Sequence, residues 1–233
     1  MQQSNDTAFL VTTYTGGNDP PYWNTGNEEQ NELKRYMTKT LLRHLKSTNY
    51  YICLSSHSTI DRETQEYCNM FVYDSDNCFQ INGQPLRPQH GVAELTAMIN
   101  GLLHLKVKGF NKVMKICYDQ IPDYDYVSII KKYEKIDCDL VACMNHFDLG
   151  TLFFYGNINF LLETLPIDEL WRLNAHNVME RAFREKVVSK GLLHRVHGVT
   201  HYEDFFNLPY LGTFHFAKNI DANNGPFIEK YNY

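Results

Sequence analysis

Gln89-His90-Gly91-Val92-Ala93-Glu94-Leu95-Thr96-Ala97-Met98-Ile99-Asn100-Gly101-Leu102-Leu103-His104-Leu105 and Lys112-Val113-Met114-Lys115-Ile116-Cys117-Tyr118-Asp119 stand one after the other in the middle of this chain. In the first, Val92, Leu95, Ile99 and Leu102 recur at three- and four-residue steps, so one helical face is built to pack on a sheet. Gly109 stops that helix, and the second stretch reads as a strand that runs out at Tyr118-Asp119. The turn that follows, Gln120 to Asp125, is rich in carboxylates. A carboxylate at the carboxyl end of an open-sheet strand faces the crevice where such folds bind ligands.

Upstream, Phe9 to Tyr14 is a short strand closed by the loop Thr15 to Pro21. Glu28 to Lys46 carries Leu33, Met37, Leu41 and Leu45 at four-residue steps, an amphipathic helix with basic residues at its end. Asn49 to His57 reads as a second strand. Thr59 to Cys68 reads as a short helix capped by Thr59 or Ser58. Met70 to Tyr73 is a third strand, ending in Asp74-Ser75-Asp76-Asn77. Downstream, Asp139 to Met144 and Thr151 to Gly156 are strands around a turn holding His146 and Asp148. Asn157 to Thr164 and Asn174 to Lys190 are helices, with Gly191 as a stop. Alternation of strand and helix through the first 120 or so residues predicts an α/β fold, a mostly parallel sheet with helices on both faces and a mixed C-terminal part. The reading is one domain over residues 1–218, a nucleotide-binding part at about 8–125 and an acceptor-side part at about 126–218, with 219–233 as a tail.

A chain of 233 residues with 43% hydrophobic and 21% charged residues has the composition of an ordinary globular protein. Its net charge of −5 argues against a nonspecific nucleic-acid binder, so no nucleic-acid polymer is expected as partner. No apolar run is long enough to cross a bilayer, and Met1 to Asp6 is no signal peptide. The six cysteines show no zinc-type spacing, and buried free thiols in a reducing cytoplasm are the expectation.

Four features in this order resemble the nucleotide-sugar-dependent glycosyltransferases of the GT-A fold, especially small ones of bacteria and large viruses. They are Leu10 to Tyr14; Ser55 to Ser58 followed by Phe71 to Asp74; the unit from His90-Gly91 to Tyr118-Asp119; and Gly150 to Gly156 followed by the helix at Asn174. The resemblance spans residues 8–195 or so. It implies a Rossmann-like sheet, a nucleoside-diphosphate sugar donor, a glycan or a lipid- or protein-linked acceptor, and Mn²⁺ or Mg²⁺ between the protein and the donor's diphosphate. In that family the strand after the long helix ends in an Asp-x-Asp that holds the cation, because a hard cation neutralises charge on the leaving diphosphate. Here the matching triplet is Cys117-Tyr118-Asp119. Asp119 is present as a metal ligand, and cysteine replaces the first acid.

The same resemblance puts Thr13, Tyr14, Ser56, His57, Asp74, Asp76, His90, Lys115 and Asp119 on the donor side. Each has a plain alternative. Tyr14 stacks on a base or packs as a loop aromatic. Asp74 and Asp76 meet ribose or base, or close a turn through their own hydrogen bonds. Ser56 and His57 face the crevice or are hydrogen-bonded structural residues, and His90 lies near free helix amides or is an ordinary cap neighbour. Lys115, a charge inside an apolar strand, meets a phosphate or pairs with a nearby carboxylate. An inverting transferase also needs a base for the acceptor hydroxyl. His176, Glu180 one turn further on, and Asp148 are the candidates for it, with ordinary helix or turn residues as the alternative. A catalytically silent relative that binds nucleotide or glycan is the rival reading, and Cys117 is its support.

Overall fold

The computed structural model describes residues 6–13, 28–73, 80–81, 84–85, 90–118, 125–144, 148–169 and 179–199. The elements, in chain order, are β1 (Thr7–Thr13), α1 (Glu28–Lys46), β2 (Tyr51–Ser56), α2 (Arg62–Gln65) and β3 (Met70–Tyr73). A two-residue pair follows, β4 (Gln80–Ile81) and β5 (Gln84–Pro85), and then α3 (His90–Val107), β6 (Lys112–Cys117) and α4 (Tyr126–Tyr133). The chain continues through β7 (Leu140–Met144), β8 (Leu149–Asn157), α5 (Ile158–Thr164), α6 (Met179–Ser189) and β9 (Val196–Val199).

Seven strands form one sheet in the order β3-β2-β1-β6-β8-β7-β9. β1, β2, β3 and β6 run parallel, β8 is antiparallel to both its neighbours, and β9 is parallel to β7. This is the mostly parallel sheet with a mixed C-terminal part that the alternation of elements predicts. The chain winds outward from β1 to β3, then returns to place β6 on the other side of β1. The carboxyl ends of β1 and β6 therefore flank the point where the winding reverses, the place where open α/β sheets leave a crevice.

Every residue of β1 is buried, because both its faces are covered. Ala8 and Leu10 point to one face, where Leu95, Met98 and Leu102 of α3, Phe160 and Leu161 of α5, and Ala182 and Phe183 of α6 pack. Phe9 and Val11 point to the other, against Leu41, Leu42 and Leu45 of α1 and Tyr126, Ile130 and Tyr133 of α4. Each large apolar side chain so buried contributes roughly 1.5–3 kcal/mol. α3 comes so close to β1 at Gly101 that an added Cβ would lie 2.3 Å from Leu10 Cδ1, which is why a side-chain-free residue stands there. Gly109 and Gly191 stop α3 and α6 with φ of 90° and 69°, as expected of them.

One local expectation changes. The cap of α2 is Asp61, which accepts from Thr64 N, in place of Thr59 or Ser58; a carboxylate bonds the free amide and suits the positive helix end at once. α4, for which the sequence offers no expectation, starts at Asp125, whose side chain accepts from Ser128 N. The tail expected at 219–233 lies outside the described residues. No helix among the described residues is long and apolar enough to cross a membrane.

Candidate active site

The strands change character along their length. On the α3 face, β1 reads Ala8, Leu10, Thr12 and β6 reads Val113, Lys115, Cys117, so a polar layer sits at the carboxyl ends above an apolar one. The pairing of β1 and β6 continues past the last strand residue through Tyr118 N donating to Thr12 O at 3.1 Å. Thr12 Oγ1 lies 3.5 Å from Cys117 Sγ.

Lys115 is the centre of this layer. Its side chain is fully buried, and Nζ donates to Glu94 Oε1 of α3 at 2.6 Å and to Cys117 Sγ at 3.0 Å. Burial alone would pull the ammonium down, but the Cys117 sulfur and the Glu94 carboxylate hold it above its ordinary value. Of the two readings open for Lys115, the structure gives it the carboxylate partner. Sequence reasoning did not single out Glu94. Its signal was the lysine itself: a cation in an apolar strand needs an anion, and the helix just before that strand packs on it.

Glu180 joins the layer from the first turn of α6. Thr151 Oγ1 of β8 donates to Glu180 Oε1 at 2.9 Å. Thr151 reaches this face because the strand register slips: Ala142 of β7 faces Phe154, while Met144, two residues on, faces Leu149, five residues back. An odd number of extra residues inverts the alternation of side chains, so a bulge re-aims Thr151 and Leu149 onto the α3 face. Burial and the charge of Glu94 raise the Glu180 carboxyl above the usual carboxylate range; the Thr151 hydrogen bond and Lys115 act in the opposite direction. A partly exposed carboxylate tuned upward is suited to take a proton from a hydroxyl.

The other predicted residues are distributed as follows. Thr13 is buried, and its Oγ1 is 2.8 Å from Thr38 Oγ1 of α1; Thr38 itself donates to Lys34 O, so Thr13 is the donor between them. Ser56 Oγ accepts from Ser58 N, closing its own turn. His57 is buried, with Nε2 2.6 Å from Ala93 O of α3; a carbonyl only accepts, so Nε2 carries the proton. These three stand at strand ends as expected, with side chains tied to α1, a turn and α3. Asp148 forms an ion pair with Arg181 of α6 at 3.7 Å. His90 begins α3. Tyr14, Asp74, Asp76, Asp119 and His176 lie outside the described residues.

Cys117 does not fit a ligand for Mn²⁺ or Mg²⁺. Hard cations take oxygen, and an ammonium 3.0 Å from the sulfur would repel them. Among the described residues no group of three His, Cys, Asp or Glu is placed to hold a metal.

No protein-family model and no curated protein matches the chain in sequence. Solved structures do match in shape. One, described as a nucleotide-diphospho-sugar transferase from Desulfovibrio desulfuricans G20, shares 11% identity over 97% of this chain and 98% of its own, with a TM-score of 0.56. The fold is GT-A-like. A second, 4-diphosphocytidyl-2C-methyl-D-erythritol synthase from Anaerococcus prevotii, shares 9% identity over 94% of this chain and 97% of its own, with a TM-score of 0.51. At such identities the likeness shows the GT-A-like architecture and no residue's role.

Proposed function

We propose that the protein is a glycosyltransferase that moves a sugar from a nucleoside-diphosphate sugar to a hydroxyl of a glycan or of a lipid- or protein-linked acceptor. The observation that carries this is the polar layer of Thr12, Glu94, Lys115, Cys117, Thr151 and Glu180 at the carboxyl ends of β1 and β6. The donor lies over the ends of β1, β2, β3 and β6, with Tyr14, Asp74 and Asp76 on its nucleoside side and His90 and Asp119 on its phosphate side. The acceptor enters over β8 and α6. Its oxygen bonds to the anomeric carbon and loses its proton to Glu180. The bond from that carbon to the diphosphate breaks, and the electron pair leaves with the nucleotide. Mn²⁺ or Mg²⁺ would be held by Asp119 and would neutralise charge on the leaving diphosphate, since Cys117 is unsuited to either ion.

Thermal unfolding with UDP, GDP and CDP and their sugar conjugates, each with Mn²⁺ and with EDTA, tests the reading. A ligand at a hundred times its Kd stabilises the fold by about 2.7 kcal/mol. Stabilisation by one diphosphate, lost in Asp119→Ala, is the expected result; no response to any nucleotide overturns the proposal. Product analysis separates sugar transfer, which releases nucleoside diphosphate, from nucleotidyl transfer, which releases pyrophosphate from a triphosphate.

The engagement of Cys117 with Lys115 favours one second reading, a catalytically silent binding protein on the same scaffold. It predicts nucleotide binding with no release of sugar from any donor.

A further inference from the structure

Lys115 and Cys117 stand two residues apart on β6, so their side chains leave the same face of the strand, and Lys115 Nζ reaches 3.0 Å from Cys117 Sγ. Glu94 Oε1 completes the group, 2.6 Å from Nζ and 3.5 Å from Sγ, and Thr12 Oγ1 lies 3.5 Å from Sγ on the β1 side. Lys115 is wholly buried, but Cys117 keeps 6% of its surface and the Glu94 side chain 21%, so a small solute reaches the group at the carboxyl end of the strand. The other described cysteines, Cys53, Cys68, Cys138 and Cys143, are held as thiols by burial, and among the described residues none of them has a cation at hydrogen-bond distance. Cys117 is set apart by its nitrogen neighbour. A sulfur that is oxidised to sulfenic acid condenses with a nitrogen that can reach it, and here one is already in contact.

We propose that Cys117 and Lys115 are a site of reversible oxidative modification, at which a hydroperoxide joins Sγ to Nζ and a thiol reductant parts them. Cys117 Sγ gives an electron pair to one peroxide oxygen, the O–O bond breaks, and the sulfur becomes a sulfenic acid as a first water leaves. Nζ then bonds to Sγ and the S–O bond breaks. The hydroxyl departs as a second water with one of the ammonium protons, and another ammonium proton passes to Glu94 Oε1, its hydrogen-bond partner at 2.6 Å. The nitrogen keeps one hydrogen. Sulfur has lost two electrons and the peroxide has gained them. Two thiol equivalents reverse the link, becoming a disulfide as they restore the cysteine and the amine. The ammonium and the carboxylate lose their charges together, so the ion pair between β6 and α3 gives way to a bond within β6. The chemistry rests on geometry alone. Its purpose, untying α3 from the strand end beside the donor, rests on the transferase reading.

The test treats the folded full chain with hydrogen peroxide, blocks the remaining thiols with iodoacetamide after unfolding, and reads the tryptic peptides by mass spectrometry. The expected product spans Lys115 uncut, carries no block on Cys117 and is lighter by two hydrogens. An oxygen-bridged N–O–S link, which a second peroxide yields with loss of one more water, resists trypsin and iodoacetamide in the same way and equally supports the proposal. Dithiothreitol added before the block should restore both cleavage after Lys115 and alkylation of Cys117. The decisive measurement needs no variant, so nothing depends on a mutant folding; Cys117→Ser, which keeps Lys115 and Glu94, should be cut after Lys115 at every peroxide dose. Sulfinic acid on Cys117 with Lys115 still cut overturns the proposal, as does a disulfide from Cys117 to another cysteine, or Cys117 unchanged while other cysteines oxidise. Equal yield of the link from the urea-unfolded chain also overturns it, since the packed contact would then not be its cause. The link in a protein that ignores every nucleotide would leave this site standing and remove the transferase reading. Nucleotide binding without the link would do the reverse.

Discussion

Lys115 and Glu94 form an ion pair 2.6 Å long between β6 and α3, with the lysine side chain wholly out of water and 21% of the glutamate side chain exposed. Removing one partner strands the other. Lys115→Met should therefore cost about 3 kcal/mol, the lower end of the range for a broken buried pair because water still reaches Glu94. The double variant Lys115→Met with Glu94→Leu replaces both by apolar groups, and should return to within about 1 kcal/mol of the original. Urea unfolding of the two variants decides it; equal losses in both would show that packing, not charge, sets the cost.

Glu180 gives the protein a pH dependence whose sign is fixed. Its folded carboxyl binds a proton more tightly than the unfolded one, first because it is buried. Its contribution to stability is then present below the unfolded carboxylate value and is lost as pH rises through the raised folded one. Glu180→Gln cannot ionise, so its stability should gain on that of the unchanged protein as pH rises through that window. Unfolding free energies measured at pH 4, 6 and 8 check the trend, and a variant that loses stability relative to the unchanged protein as pH rises contradicts it.

Thr13 separates scaffold from ligand. Its only hydroxyl proton goes to Thr38, which itself holds Lys34 O. Thr13→Val should cost about 1 kcal/mol, the usual net worth of such a bond, and leave nucleotide affinity unchanged. A tenfold loss of affinity with no loss of stability would return Thr13 to the binding site.

Asp61 caps α2 with both oxygens, accepting from Thr64 N at 2.8 Å and Thr64 Oγ1 at 2.7 Å. Partial burial pushes its carboxyl up, but the two Thr64 bonds outweigh that and leave it below the usual range. Asp61→Ala should cost about 1 kcal/mol at neutral pH. The loss should shrink as pH falls through the folded carboxyl's value, since protonation removes the same interaction from the original protein.

The parts of the fold that could be read from the chain are those that repeat. Leu41 and Leu45 at helical spacing, the apolar runs of β1 and β6, and Gly109 and Gly191 as stops each carry a local signal that survives into the structure. α4 has Tyr126, Ile129, Ile130 and Tyr133 at helical spacing, but it is only eight residues long, and so short a run carries a weak periodic signal. β9 has four residues and pairs only with β7 in the described sheet, so its sequence carries little pattern of its own.

By itself the sequence determined the helices and strands with a repeating pattern, α1, α3, β1, β2, β3 and β6 among them, that helices cover both faces of the sheet, and that Lys115 is anomalous where it stands. Those properties depend on residues a few positions apart, which backbone geometry alone brings together. Tertiary structure alone decided that the partner of Lys115 is Glu94, that His57 and Thr13 are tied to α3 and α1, and that a bulge turns Thr151 toward Glu180. Each of these joins elements distant in the chain. The pairing of a buried charge or a hydroxyl is chosen by which partner the packed layers bring within about 3 Å, and no local pattern encodes that distance.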